Sequence, residues 1–247
     1  MSPYIHLILP SYGVMAFIGG LLALLYTYFR IDRFQVLFTD YCKIFVIAVI
    51  GGYLGSKALF IATQIPQLVT NFSFSNLVNI IIHGGIVFYG GLFGVLLALK
   101  VYAKRSRYEE STIFGMIAPT IPLFHCFGRI GCFLAGCCYG RELGYTVELF
   151  QTVYIDRVPT QAFEAVFELI IFFVLIMVER KNNGWNLLKI YLISYAVFRF
   201  ANEFFRGDEI RGNLLGLSTS QWVSLTIIGY YMIKRIRKRP IETLGTA

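Results

Sequence analysis

An arginine and three cysteines stand in the run Gly128-Arg129-Ile130-Gly131-Cys132-Phe133-Leu134-Ala135-Gly136-Cys137-Cys138-Tyr139-Gly140-Arg141, within a stretch that is otherwise apolar. Carrying a guanidinium toward a bilayer core costs about 2.5 to 17 kcal/mol by different measures, so such an arginine faces a polar cavity and pairs with something anionic. Arg129 is the first candidate for that task. Arg199, Asn202, Glu203 and Arg206 are spaced to form a polar stripe on one helical face. If Glu203 only neutralises its neighbours the stripe holds helices together; a surplus guanidinium would instead await an anion. Gln161, Glu164 and Glu168 repeat the helical spacing and offer acids that can pair with arginines of another helix. His83 and Tyr89 sit in the glycine-rich run from His83 to Gly94, where an imidazole could accept a proton and a phenol donate a hydrogen bond. The glycines there permit close approach of backbone to another helix or to a ligand.

Elements able to hold such groups follow from composition. Of 247 residues 57% are hydrophobic and 15% charged, with mean hydropathy +0.65, a balance that polar surface could not cover in a water-soluble domain. The fold expected is an all-α integral membrane protein forming one domain over residues 1–247. Seven charge-poor stretches are long enough to cross a bilayer, about Tyr4 to Phe29, Ile44 to Ile65, Leu77 to Leu99, Thr112 to Cys138, Gln161 to Val178, Leu187 to Phe205 and Leu217 to Ile233. With alternating loops, residues 30, 33, 43, 100, 104, 105, 107, 180, 181, 189, 234, 235, 237, 238 and 239 fall on one side and hold 15 of the 22 lysines and arginines. The positive-inside rule makes that side cytoplasmic, with the N-terminus outside and the C-terminus inside. The net charge of +8 is thereby explained by topology, without nucleic acid as a partner. The basic tail from Lys234 to Arg239 reads as an anchor beside the last span. The first span lacks a basic leader and a cleavage site, and is expected to be retained. Residues 140–160 are expected to form a small outward cap.

The residues also carry a resemblance. Tyr12-Gly13, Gly84-Gly85, Gly90-Gly91, Gly128-Arg129-Ile130-Gly131 with Phe133, Gly140-Arg141, Pro159-Thr160-Gln161 with Glu164, and Phe198-Arg199 with Glu203-Phe204-Phe205-Arg206 occur in an order that resembles the prolipoprotein diacylglyceryl transferase family. The resemblance runs from about Tyr12 to Gln221. It implies a multi-pass enzyme of the bacterial cytoplasmic (inner) membrane that moves the diacylglyceryl group of phosphatidylglycerol onto the thiol of a lipobox cysteine in a preprolipoprotein, releasing glycerol phosphate. By position, Arg129 would bind the phospholipid head, Arg199 would sit at the reacting phosphate, and Glu203 and Arg206 would complete the polar wall. Tyr12, Gly140, Gln161 and Glu164 join the substrate-binding set, and Tyr89 joins Arg199 and Glu203 in the catalytic one. The chemistry suits these residues, since thiolate attack at a glycerol carbon expels a phosphate whose charge arginines stabilise.

The chain departs from that pattern in four places. Cys132, Ala135 and Cys137 replace Asn, Asn and Glu of the family's signature, and Tyr89 replaces its histidine. Tyrosine, with an unperturbed pKa of about 10, is a poor proton acceptor at neutral pH. His83, six residues earlier, would point about 240° away around a regular helix. His125, Cys126, Cys132, Cys137 and Cys138 offer metal ligands, but the spacing matches no recognised zinc pattern and the adjacent Cys137-Cys138 is awkward for one tetrahedral ion. Neither metal nor cofactor is therefore expected. A disulfide from Cys132 to Cys137 or Cys138 is an alternative, and small packing residues are the default. Leu134-Ala135-Gly136-Cys137 has the form of a lipobox but lies far from any leader peptide, and reads as coincidence. Two further functional readings stay open: the same phospholipid site serving another acceptor, or a non-enzymatic phospholipid-binding or transport protein.

Overall fold

A computed structural model of the protein describes residues 4–5, 9–70, 73, 75, 78, 80, 87–149, 153–181, 184, 186–207 and 213–237. The described residues are mainly helical, and the chain divides into two compact units, Met1–Tyr26 with Ile117–Ala247, and Thr27–Met116.

In the second of these units α2 (Phe38–Thr70) packs along α3 (Phe88–Arg105), followed by the short α4 (Glu110–Ile117). Glycines set that packing. A Cβ on Gly55 would stand 2.7 Å from the Gly94 Cα, and one on Gly51 would stand 2.6 Å from the Ala98 Cβ, so the two backbones touch. Small residues at such a crossing supply dispersion contact that lipid cannot supply better. Gly90 and Gly94 thus serve helix packing. Ser56 fastens the start of α3, accepting from the Val87 amide at 2.8 Å and donating to the Val87 carbonyl at 3.0 Å. At the basic end of the unit Asp40, in the first turn of α2, gathers Arg107 at 2.7 Å, Lys43 at 3.0 Å and the Tyr108 hydroxyl at 2.9 Å. Arg30 donates to the carbonyls of Met116 and Gly115.

The other unit holds α1 (Ser11–Tyr28), α5 (Thr120–Ala135), α6 (Thr160–Arg180), α7 (Leu187–Asn202) and α8 (Thr219–Arg237). Along α6 the residues Gln161, Glu164, Glu168 and Leu175 are buried, while Phe163, Val166, Ile170, Phe173 and Met177 are exposed. A helix that hides carboxylates and presents large apolar groups is built for hydrocarbon surroundings. α5 ends in a Schellman turn: Gly136 has φ of 68°, its amide donates to Phe133 O at 3.2 Å, and the Cys137 amide donates to Cys132 O at 3.1 Å. α8 begins with a capping box in which the Gln221 amide donates to Ser218 Oγ at 3.2 Å and the Ser218 amide to Gln221 Oε1 at 2.9 Å.

Strand pairs add to the all-α expectation. β1 (Tyr4–Ile5) pairs with β2 (Leu9–Pro10), β3 (Glu142–Leu149) with β4 (Val153–Arg157), and β5 (Asn213–Leu214) with β6 (Leu217–Ser218), each antiparallel. The β3–β4 hairpin occupies the segment expected to form a cap, and Arg157 meets Glu142 at 2.6 Å across its open end. Four stretches of the described residues are long and apolar enough to cross a membrane: Ser11–Tyr28, Phe38–Ile65, Glu110–Ala135 and Thr160–Arg180. Of the other expected spans, Leu77 to Leu99 falls partly outside the described residues, and α7 and α8 are shorter or more polar than that standard.

Candidate functional site

Glu164 is the hub of the polar interior. It projects from the second turn of α6 with no solvent exposure, and two helices, α5 and α7, aim side chains at it. From α5, Arg129 Nε stands 3.0 Å from Glu164 Oε2. From α7, Arg199 Nη1 stands 3.7 Å from the same oxygen, and the Tyr195 hydroxyl donates to Oε1 at 2.8 Å. Arg129 and His125 are four residues apart on α5, and Tyr195 and Arg199 four apart on α7, so each helix delivers a pair from one face.

A second carboxylate completes the arrangement. His125 Nδ1 lies 2.7 Å from Glu168 Oε1, while Arg129 Nε donates to His125 Nε2 at 3.2 Å. A nitrogen that accepts from a guanidinium carries no proton, so the imidazole proton sits on Nδ1 and is donated to Glu168. His125 thereby orients Arg129 and is itself held by Glu168. Farther along α7, Arg199 Nη2 meets Glu203 Oε2 at 2.7 Å and donates to Ser220 Oγ of α8 at 3.3 Å. Arg129, Glu164, Arg199 and Glu203 therefore form one buried chain of alternating charge.

One fully buried guanidinium nitrogen of this group has no hydrogen bond among the described residues. Arg199 is 2% exposed, and its Nη1 is buried with no hydrogen-bond partner among the described residues. Its nearest anionic oxygen, Glu164 Oε2 at 3.7 Å, stands beyond hydrogen-bond reach and is itself without a hydrogen bond, and a buried donor left unmade costs several kcal/mol, so Nη1 can take a closer anionic oxygen.

The remaining expected residues fall in different places. Gln161 donates from Nε2 to Cys137 O at 2.6 Å and Thr160 from Oγ1 to Cys138 O at 3.0 Å, so the start of α6 grips the turn that follows α5. Gly140 is wedged in backbone: its amide donates to Val158 O at 2.8 Å, and a Cβ there would stand 2.7 Å from the Val158 Cβ. Arg206 corrects the four-residue stripe. α7 stops at Asn202, a 3-10 turn covers Glu203–Phe205, and Arg206 lies in an extended bridge opposite Gly140. The helical face thus holds Arg199, Asn202 and Glu203 only, because tightening into the 3-10 turn ends the 3.6-residue period. Tyr12 lies against Gly131, where a Cβ would be 3.1 Å from the Tyr12 Cα. Tyr89 belongs to the other unit, buried in the first turn of α3 with its ring stacked on Phe93 at 6.2 Å. His83, Gly84 and Gly85 lie outside the described residues.

Spacing alone missed three contributors. By residue type and spacing His125 offers only a metal ligand, although its place one turn before Arg129 on an apolar helix is a signal for its role. Tyr195, one turn before Arg199, gives the same signal. Ser220 gives none, since its part depends on how α8 packs on α7.

Comparison with known proteins identifies the family. The sequence profile of the family described as prolipoprotein diacylglyceryl transferase matches residues 4–235. A phosphatidylglycerol–prolipoprotein diacylglyceryl transferase of Clostridium tetani is 35% identical over 206 residues, 78% of this chain and 80% of the relative. The second such enzyme of Clostridium perfringens is 32% identical over 78% of this chain and 77% of its own length. One from Dehalococcoides mccartyi is 28% identical over 94% of this chain and 92% of its length. With the profile spanning nearly every residue, this chain belongs to the prolipoprotein diacylglyceryl transferase family.

Proposed function

We propose that this protein transfers the diacylglyceryl group of phosphatidylglycerol to a cysteine thiol in the lipobox of a preprolipoprotein, in a bacterial cytoplasmic membrane that it crosses seven times with its C-terminus inside. The observation that carries the reading is the buried Arg199 Nη1, a cationic donor without a hydrogen-bond partner in a chain of arginines and glutamates. In the transfer, the acceptor sulfur attacks a glycerol carbon, the C–S bond forms, and the carbon–oxygen bond to phosphate breaks with its electron pair on oxygen. Arg199 meets the charge that gathers on that oxygen, and Arg129 holds the head group. Glu164, Tyr195 and the His125–Glu168 pair fix the two guanidiniums before substrate arrives. Glu203 and Arg206 wall the site, Tyr12, Gln161 and Gly140 shape its entrance, and the paired strands β3 and β4 cap it.

The test uses purified protein in detergent with phosphatidylglycerol and a lipobox peptide. Glycerol phosphate and lipidated peptide should appear in equal amounts. Arg199→Gln should lower the rate about 100-fold or more, the scale on which loss of one donor to a developing oxyanion is felt. Undiminished turnover in that variant would remove the phosphate role. Lipid binding without turnover in the unaltered protein would point to a binding protein.

A further inference from the structure

The Schellman turn that ends α5 folds Cys137 and Cys138 back over Cys132, so that the three sulfurs lie within 4.8 Å of one another. This juxtaposition departs from the sequence expectation of no metal site, which treated the adjacent Cys137-Cys138 as awkward for one ion. Its resolution is local. Cys138 takes a left-handed conformation with φ of 62°, strained for a residue with a side chain, which reverses the chain between the two thiols. Gln161 and Thr160 hold the carbonyls of Cys137 and Cys138, so the start of α6 maintains the reversal. Tetrahedral zinc with Zn–S bonds of about 2.3 Å needs sulfurs about 3.8 Å apart, a closure of about 1 Å at most from the separations here. No fourth His, Cys, Asp or Glu among the described residues joins the group. Cys132 is buried, Cys138 half-buried and Cys137 exposed, so the cluster opens on one side.

Three protein ligands and one open position is the arrangement of a zinc ion that acts on a substrate, not of one that only holds a fold. We infer that Cys132, Cys137 and Cys138 bind a zinc ion whose open position takes the thiol of the acceptor peptide. The inference rests on the transferase reading and addresses what Tyr89 leaves unfilled, the means of ionising the acceptor. A thiol is ionised on coordinating such an ion. Its proton passes to solvent, and the zinc-bound sulfur attacks the glycerol carbon as the carbon–oxygen bond to phosphate breaks. The thioether product, now a neutral and weak ligand, leaves the ion. Thiol and phosphatidylglycerol become thioether and glycerol phosphate with release of one proton. Arg129, one turn before Cys132 on α5, ties the acceptor ion to the phosphate-binding arginines through a single helix.

Cobalt(II) serves as the probe, because thiolate coordination gives it visible absorption that zinc lacks. Reduced, metal-stripped protein in detergent should bind one equivalent, with an intense tetrahedral spectrum. Cys132→Ser, Cys137→Ser and Cys138→Ser should each weaken binding about 10-fold or more, while Cys42→Ser, in the other unit, should leave it unchanged. A lipobox peptide should shift the spectrum and its Cys→Ser counterpart should not, a comparison made on unaltered protein and so independent of how the variants fold. Transfer to peptide should fall on metal removal and return with zinc. Absence of cobalt binding that depends on the three cysteines would overturn the site and leave the transferase reading standing. Binding with no response to the peptide thiol, or transfer indifferent to zinc, would overturn the acceptor role. Metal binding with no transfer under any condition would overturn the transferase reading and the acceptor role together.

Discussion

Glu164 decides whether the two central arginines can be buried at all. Its carboxylate lies within 3.0 Å of Arg129 and 3.7 Å of Arg199, and it alone of the described carboxylates touches both. Glu164→Gln keeps the size and an acceptor for the Tyr195 hydroxyl but removes the charge. Breaking a buried pair from one side costs about 3–5 kcal/mol, because the partner stays buried and uncompensated. We expect a clear fall in the thermal unfolding midpoint in detergent and loss of transfer; an unchanged midpoint would mean that the arginines find compensation elsewhere. Glu164 was legible before the structure, as an acid at helical spacing within an apolar stretch. Its separation in role from Glu168 was not, because that depends on His125 standing between them, a placement set by how α5 meets α6.

Helix periodicity identified which residues share a face but not where the helix stops. Arg206 shows the limit: nothing in Arg199 to Arg206 is a proline or glycine, so the pattern continues on paper past the point where the backbone tightens at Glu203. The glycines of α3 were legible as close-packing residues, though not their partners in α2. Their packing leaves no room for side chains, since a Cβ on Gly94 would stand 2.9 Å from the Gly55 Cα. Gly94→Val should separate the two helices and destabilise the protein by about 1–3 kcal/mol, the usual cost of overpacking. Wild-type resistance to heat and proteolysis in that variant would count against the tight crossing.

At the scale of the whole molecule, basic residues that the topology reading counts toward one side also bind within the fold. Arg30, Lys43 and Arg107, three of the basic residues assigned to the cytoplasmic side, are tied to backbone carbonyls or to Asp40. Sequence alone could not show this, because a loop lysine that satisfies the positive-inside rule reads the same whether or not it has a partner. Under the proposed orientation a reporter active only in the cytoplasm, fused after Ala247, should be active; a reporter active only outside should be silent there, and the reverse result would invert the topology. The three thiols and the arginine chain share one further dependence. Gln161 grips the turn that carries Cys137, and Glu164, three residues later on the same helix, holds Arg129 and Arg199. α6 is therefore the gauge between the two halves of the reaction. Its outer face can drift in sequence, but inserting or deleting one residue between Gln161 and Glu164 would rotate one half about 100° against the other. The length of that single turn is fixed even where its composition is not.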